Sequence, residues 1–290
     1  MSGIRRSKRL FALATAVALP VMIGAVPAPA ATWFAPNSGN GDATSRNWAG
    51  YVATGGSFTA VSGSWTVPTV TPSGGLSSDA VWVGVGGVTS QDLIQVGTQD
   101  LVQGDQVSRQ AWIEMLPDAS QAVLPVNAGD SINASVVQQS AGAWQLTITD
   151  TTTQKSYQTS VAYQSSLSSA DWIVEAPTDG RQEVTLDNFG NVAFTNGLTT
   201  DNGSAQQSIG GVNAQTITMV TADGTAIAVP SSLASTSGSS GGSFSVARTG
   251  PAATGAPEPR PGYERVPGGP IPFPIVPRRG FRWDPAPWGW

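Results

Sequence analysis

Between residues 47 and 233 the chain is a run of short segments rich in Val, Thr, Ile and Trp, cut apart by Gly, Ser, Pro and Asp. Nowhere does it carry the apolar period of an amphipathic helix. Strands are expected at residues 58–67, 80–85, 107–115, 131–138, 144–149, 159–163, 183–186, 191–195 and 216–220, and at residues 92–97 and 170–175. Trp144, Leu146 and Ile148 alternate with Gln145, Thr147 and Thr149, the pattern of a strand with one packed and one wet face. Polar residues 150–155 then read as a hairpin turn. So many strands in one region predict an all-β domain, either two antiparallel sheets packed face to face or a jelly roll.

The ends read differently. Arg5, Arg6, Lys8 and Arg9 precede an apolar run over residues 10–26, and Ala28-Pro29-Ala30 stands before Ala31, so residues 1–30 are expected to be a secretory signal peptide. Pro20 and Gly24 interrupt that run and argue against an uncleaved anchor. The expected product is a secreted, extracellular protein with no membrane partner after cleavage, a short N-terminal segment at 31–46 and a folded domain at 47–247. Residues 235–242 read as a Ser/Gly linker framing a last strand at 244–247. Residues 248–290 form a Pro/Gly-rich tail with six arginines and three acids, net 6 − 3 = +3. Plain disorder with polyproline character is one reading of it, and contact with wall or surface polymers through Trp and Arg is the other.

Composition restricts the chemistry. The chain has no His and no Cys, and beyond the expected signal its one lysine is Lys155. A Ser-His-Asp or Cys-His triad needs an imidazole, and the usual zinc sites need His or Cys, so neither is open to this chain. Calcium at a turn such as Thr200-Asp-Asn-Gly203 has only nonspecific spacing behind it, and no metal and no cofactor is expected. Stability must come from packing without disulfides. Residues 32–247 hold four bases (Arg46, Arg109, Lys155, Arg181) against sixteen acids, net 4 − 16 = −12. Such a body is relieved of self-repulsion at low pH, which suits an acidic working environment, although acidity for solubility alone reads the same way. Nucleic acid is excluded as a natural partner.

Carboxylates, amides, hydroxyls and rings remain. Gln95 stands inside Asp92-Leu-Ile-Gln-Val-Gly97, sharing a face with Leu93 and Gly97, and Gly97 is expected to leave open space beside it. Glu175 closes Ala170-Asp-Trp-Ile-Val-Glu175, sharing a face with Ile173 and Asp171 while Trp172 and Val174 point the other way. A Glu beside apolar neighbours tends towards a raised pKa. From local pattern alone, either side chain also reads as a solvated outer-face residue.

Six segments taken together add a resemblance. Ser45-Arg-Asn-Trp-Ala-Gly-Tyr51, Val61-Ser-Gly-Ser-Trp-Thr-Val-Pro68, Val81-Trp-Val-Gly-Val-Gly-Gly87, Leu93-Ile-Gln-Val-Gly97, Ala111-Trp-Ile-Glu-Met-Leu-Pro117 and Ala170-Asp-Trp-Ile-Val-Glu175 occur in the order found in the glutamic peptidases, the eqolisins. The chain resembles that family from Ser45 to about Val220. The resemblance implies a sandwich of two curved antiparallel sheets, concanavalin- or jelly-roll-like, whose concave face holds a Gln and Glu dyad. By motif, Gln95 matches the catalytic Gln and Glu175 the catalytic Glu. Trp82 matches the Trp bordering the substrate groove, Glu114 the acid near the dyad, and Trp112 and Trp48 family aromatics, although each indole equally suits core packing. Gly86 and Gln110 stand where fungal members commonly carry acids, and the family's cysteines and long basic propeptide have no counterpart here.

The implied activity is that of a secreted acid endopeptidase acting on polypeptides, with monomer as the default state. One rival is a glycoside hydrolase using Glu114 and Glu175 as its carboxylates. The other is a non-catalytic carbohydrate- or surface-binding module. A Ser-Lys dyad would have to use Lys155, which falls at the expected turn.

Overall fold

Among the described residues, fourteen strands of five or more residues carry the fold: β1 (Trp48–Thr54), β2 (Phe58–Thr66), β3 (Leu76–Gly86), β4 (Leu93–Gln103), β5 (Gln106–Met115), β6 (Gln121–Pro125), β7 (Ser131–Ser140), β8 (Ala143–Asp150), β9 (Lys155–Ala162), β10 (Ser169–Glu175), β11 (Asn191–Asp201), β12 (Gln215–Val220), β13 (Ala226–Pro230) and β14 (Phe244–Arg248). This computed structural model describes residues 33–34, 43–72, 74–179, 182–212, 214–234 and 241–250. The expected export signal, most of the segment after it, residues 235–240 of the Ser/Gly linker and the tail beyond residue 250 lie outside the described residues. Among the described residues the one helical element is a 3-10 turn at Ile209–Val212.

The expected all-β class holds. The strands pair antiparallel in the order β6-β5-β4-β3-β10-β1-β12-β13-β14-β11-β2-β7-β8-β9, one nearly closed sheet. Its two halves meet across a large apolar core that takes Val83, Trp172 and Val174 from one side and Trp65, Val136 and Ile148 from the other. Two indoles tie the halves together. Trp172 Nε1 donates to the Ser62 carbonyl at 2.8 Å, and Trp65 Nε1 donates to Thr98 Oγ1 at 2.9 Å. A buried N–H without such an acceptor would be costly, so these bonds fix which rows of the two halves face each other.

Local sequence explains the strands. β8 buries Trp144, Leu146 and Ile148 and leaves the intervening residues partly wet, as its alternation predicts. Its turn closes because Asp150 Oδ1 accepts from the Thr152 and Thr153 amides at 2.9 and 3.1 Å. β10 buries all seven of its residues because both its faces are covered. Trp172 and Val174 enter the large core, while Ile173 enters a second apolar cluster with Trp48, Trp82, Leu93, Trp112 and Ile217 on the opposite face of β1, β10, β3, β4 and β5. The candidate functional side chains sit on that second face.

Candidate active site

Ladder register places the candidates in rows. Glu114 of β5, Gln95 of β4, Gly84 of β3 and Asp171 of β10 are successive cross-strand partners. The next row holds Trp112, Gly97, Trp82 and Ile173, and the third holds Gln99, Ala80, Glu175 and Trp48. Because side chains alternate along a strand, all three rows share one face. Gln95 and Glu175 therefore lie two strands apart, offset along the strand by 84 − 80 = 4 residues. Both are fully buried, which sets aside the reading of them as solvated outer-face residues.

Trp82 spans the gap between them. Its Nε1 donates to Glu175 Oε2 at 2.8 Å. The far edge of its ring lies over Gly84, where an added Cβ would come within 3.0 Å of Trp82 Cζ3 and 3.1 Å of Gln95 Cβ. Gly97 does not leave open space, contrary to the expectation from its lack of a side chain. A Cβ there would lie 2.5 Å from Trp82 Cβ and from the Val81 carbonyl, and 3.0 Å from Trp112 Cζ2. The glycine is needed because two indoles from neighbouring strands already fill its place. Gly86 is equally constrained, since at φ +94° an added Cβ would overlap the Asp92 carbonyl. The acid common in fungal members has no room at this position.

The second oxygen of Glu175, Oε1, accepts from Asn47 Nδ2 at 3.3 Å. Asn47 is held in turn by Ser45, whose hydroxyl donates to Asn47 Oδ1 at 3.2 Å and accepts from the amides of Asn47 and Trp48 at 3.3 and 3.1 Å. Burial raises the pKa of Glu175 well above the usual carboxylate range, and the Glu114 charge raises it further. The N–H groups of Trp82, Trp48 and Asn47 oppose that rise. Sequence reasoning placed Asn47 inside a motif but gave it no role. It lies one residue before Trp48, the ladder partner of Glu175, a pairing that only the register shows.

Gln95 is held by Glu114, whose Oε2 accepts from Gln95 Nε2 in a short 2.5 Å bond. Gln95 Oε1, Trp112 Nε1 and Asp171 Oδ1 are buried without a hydrogen-bond partner. Asp171 Oδ2 accepts from Ser169 Oγ at 3.2 Å, and burial raises its pKa well above normal. Buried polar atoms are ordinarily satisfied, so these orphans, with Trp48 Nε1 on the same face, leave it polar groups that a guest can bond. Among the described residues no group of three or more acids is placed to hold a metal ion. The three tryptophans are core and site at once: Trp48 and Trp82 meet edge to face at 4.9 Å, and Trp82 also bonds the carboxyl. The arrangement sets burial, which favours the protonated carboxyl, against amide and indole N–H donors, which favour the ionised one. Those are the elements of general acid–base chemistry with charge stabilisation.

Residues 46–247 match the family model described as Peptidase A4 family. Aspergillopepsin-2 of Aspergillus niger is 31% identical over 186 residues, which is 55% of this chain and 66% of that protein. Scytalidopepsin B of Scytalidium lignicola is 32% identical over 137 residues, 44% of this chain and 51% of that protein. The matched stretches thus span about two thirds and about half of these curated relatives. A solved structure of scytalido-glutamic peptidase with a peptide-based transition-state analogue aligns with 70% of this chain and 98% of its own, at TM-score 0.58 and 26% identity.

Proposed function

Because this chain belongs to the Peptidase A4 family, the glutamic peptidases or eqolisins, we propose that it is a secreted acid endopeptidase in which Gln95 and Glu175 activate water against a peptide bond. On this reading residues 47–247 are the catalytic domain, a sandwich of two curved antiparallel sheets, exported by the signal at residues 1–30 and active as a monomer on polypeptides. One observation carries it. Inside the matched region, a buried glutamate is held by neutral N–H donors on the same face as a buried glutamine. The peptide-based analogue held by the solved relative favours polypeptide as the substrate class.

The chemistry follows from the two environments. Ionised Glu175 takes a proton from water, the resulting nucleophile attacks the scissile carbonyl carbon, and Glu175 then gives that proton to the leaving amine. Trp82 and Asn47 stabilise the carboxylate for the first half of this cycle. Burial favours the protonated form needed for the second. Gln95 offers an amide N–H to the developing oxyanion, worth roughly 3 to 4 kcal/mol of barrier for comparable donors. Glu114 takes one Gln95 N–H and so fixes the plane of the carboxamide. A carboxylate works as a base in acid, where imidazole would be protonated.

The test is hydrolysis of denatured casein and of β-glucan at pH 3 to 5 by the wild type and by Glu175→Gln and Gln95→Ala. Casein cleavage lost in both variants is the expected result. Cleavage that survives both substitutions, or glucan hydrolysis without proteolysis, overturns the reading.

A further inference from the structure

Tyr163 makes a bond that its place in the chain does not suggest. It follows β9, in the half of the sheet away from the site, where its backbone N–H donates to the Gly142 carbonyl at 2.9 Å and its carbonyl accepts from Trp144 Nε1 at 3.1 Å. From that anchor the phenol reaches the end of the β4–β5 ladder. The oxygen accepts from the Leu93 amide at 2.8 Å and donates to the Leu116 carbonyl at 2.8 Å.

Leu93 and Leu116 would be the next pair of that ladder beyond Ile94 and Met115. A hydrogen-bonded antiparallel pair exchanges two N–H···O bonds. Here one is direct, from the Leu116 amide to the Leu93 carbonyl at 2.9 Å. The other is replaced by the tyrosine hydroxyl, inserted between the Leu93 N–H and the Leu116 C=O. Two residues further in along each strand stand Gln95 and Glu114, ladder partners joined through their side chains. An oxygen atom built into one rung thus sets how far the two strands open beside the pair that orients the carboxamide.

The segment that follows makes the same connection repeatedly. Asp92 Oδ2 accepts from the Ser166 amide at 2.7 Å, Ser166 Oγ at 3.0 Å and Ser165 Oγ at 3.1 Å. Ser90 and Ser168 meet at 3.1 Å, and Ser169 Oγ donates to the Gly86 carbonyl at 3.0 Å. Residues 163–169 are therefore laid along the β3–β4 connection, and they continue directly into β10, which ends at Glu175.

We propose that Tyr163 is a positioning residue for the reaction, acting through the Leu93–Leu116 rung to hold Gln95 and Glu114 in register with the strand that carries Glu175. Asp92 reinforces it. Partial burial alone would push this carboxyl up, but the bonds from Ser166, Ser90 and Ser165 bring it below the usual range, so the tie persists in acid. Displacement of a catalytic group by about an ångström can cost on the order of 100-fold in rate.

This inference rests on the reading of the site as a peptidase, and the test separates the two. Tyr163→Phe keeps the ring and removes the bridging oxygen. The expected result is a kcat lower by ~10- to ~100-fold on casein-derived peptides, with KM changed less than about twofold. Amide exchange at Leu93 and Leu116 should become faster. Thr199→Val, which deletes a 2.6 Å bond from Thr199 Oγ1 to the Ala60 carbonyl away from the site, should leave both readouts unchanged. Ser166→Ala, at an exposed position, should lower kcat in the same direction by ~3-fold, and it keeps the idea testable if Tyr163→Phe folds poorly. Unchanged kcat in Tyr163→Phe, or an equal loss in Thr199→Val, overturns the positioning role. Unchanged exchange at Leu93 and Leu116 overturns the clamp even if activity falls. A wild type that cleaves no peptide ends the peptidase reading instead, while the exchange measurement still reports whether the rung exists.

Discussion

Two groups of carboxyl side chains are buried on opposite faces of the same sheet. On the site face stand Glu175, Glu114 and Asp171; on the core face, at one end of β3 and β4, stand Asp79 and Asp100, with Asp187 from the loop beyond residues 185–186. Burial is the leading cause of the raised pKa of Glu175 and Asp171, as it is for the three core-face acids. It lifts Asp100 to about 6, Asp187 to about 8 and Asp79 well above normal, with the acids repelling one another and Arg109 and Arg248 opposing the rise. The difference lies in what surrounds the oxygens. Arg109 Nε binds Asp100 Oδ2 at 3.2 Å, and Arg248 binds the Asp187 carbonyl, so the core-face group is bordered by cations that hold it in place. The site-face glutamate is held by an indole and an amide, neutral groups that stabilise charge without fixing it. A raised pKa alone therefore does not identify a catalytic acid. Neutral donors and an adjacent amide distinguish the site-face group; unsatisfied oxygens do not, since Asp79, Asp100 and Asp187 carry them as well.

The largest expected effect separates the two groups by rate. Glu175→Gln should lower kcat at pH 4 by ~10²- to ~10⁴-fold, the range for loss of a general acid–base, while Asp187→Asn leaves it within about twofold. Thermal stability should show the complementary pattern. Asp187 binds its proton more tightly folded than unfolded, so between the ordinary value of 3.8 and the folded value of about 8 the native state holds more protons, and stability falls as pH rises through that window. Asp187→Asn should flatten the decline in Tm between pH 4 and pH 8. A kcat loss in Asp187→Asn matching that of Glu175→Gln would erase the distinction.

Two glycines sharpen the comparison at the level of packing. Gly97→Ala forces a methyl against Trp82, Trp112 and the Val81 carbonyl, and should cost about 1 to 3 kcal/mol of stability as an overpacked site, together with activity. Gly75→Ala, near the end of β3 close to the core-face acids, meets nothing within 4 Å and should be near neutral. Denaturant midpoints of the two variants measure the difference directly. Equal midpoints would mean that the site face is looser than its geometry shows.

The sequence revealed the site face more readily than the core-face acids, for a physical reason. The alternation of β8, the buried run of β10 and the split of Ile173 from Trp172 and Val174 are local patterns, and all three appear in the structure. Gln95 and Glu175 draw attention as polar residues among apolar ones, but it is the resemblance of six segments together that gives them candidate roles. β4, by contrast, runs on to Gln103 through Thr98, Gln99 and Asp100, residues that resemble a turn until Asp79 and Arg109 are seen on the flanking strands. β13 escaped notice because its five residues are short and end in proline. The filling of Gly97 by Trp82 and Trp112 and the reach of Tyr163 to Leu93 depend on partners from other strands, which spacing along the chain does not encode.

The smallest expected effect concerns the indoles, one on each side of this divide. Trp82→Phe keeps a ring over Gly84 but removes the N–H donated to Glu175. Because that bond favours the ionised form, its loss raises the carboxyl pKa further. A hydrogen bond to a charged group is worth about 1.5 to 3 kcal/mol, and one pKa unit corresponds to about 1.4 kcal/mol, so the acid limb of kcat/KM should move up by about one unit or more. Trp172→Phe, on the core face of β10, removes a bond to the Ser62 carbonyl instead. It should lower Tm while leaving the acid limb in place. Profiles of kcat/KM from pH 2.5 to pH 6 distinguish the two, since a limb that moves in Trp172→Phe and not in Trp82→Phe would mean that the indole touching the carboxylate is only packing.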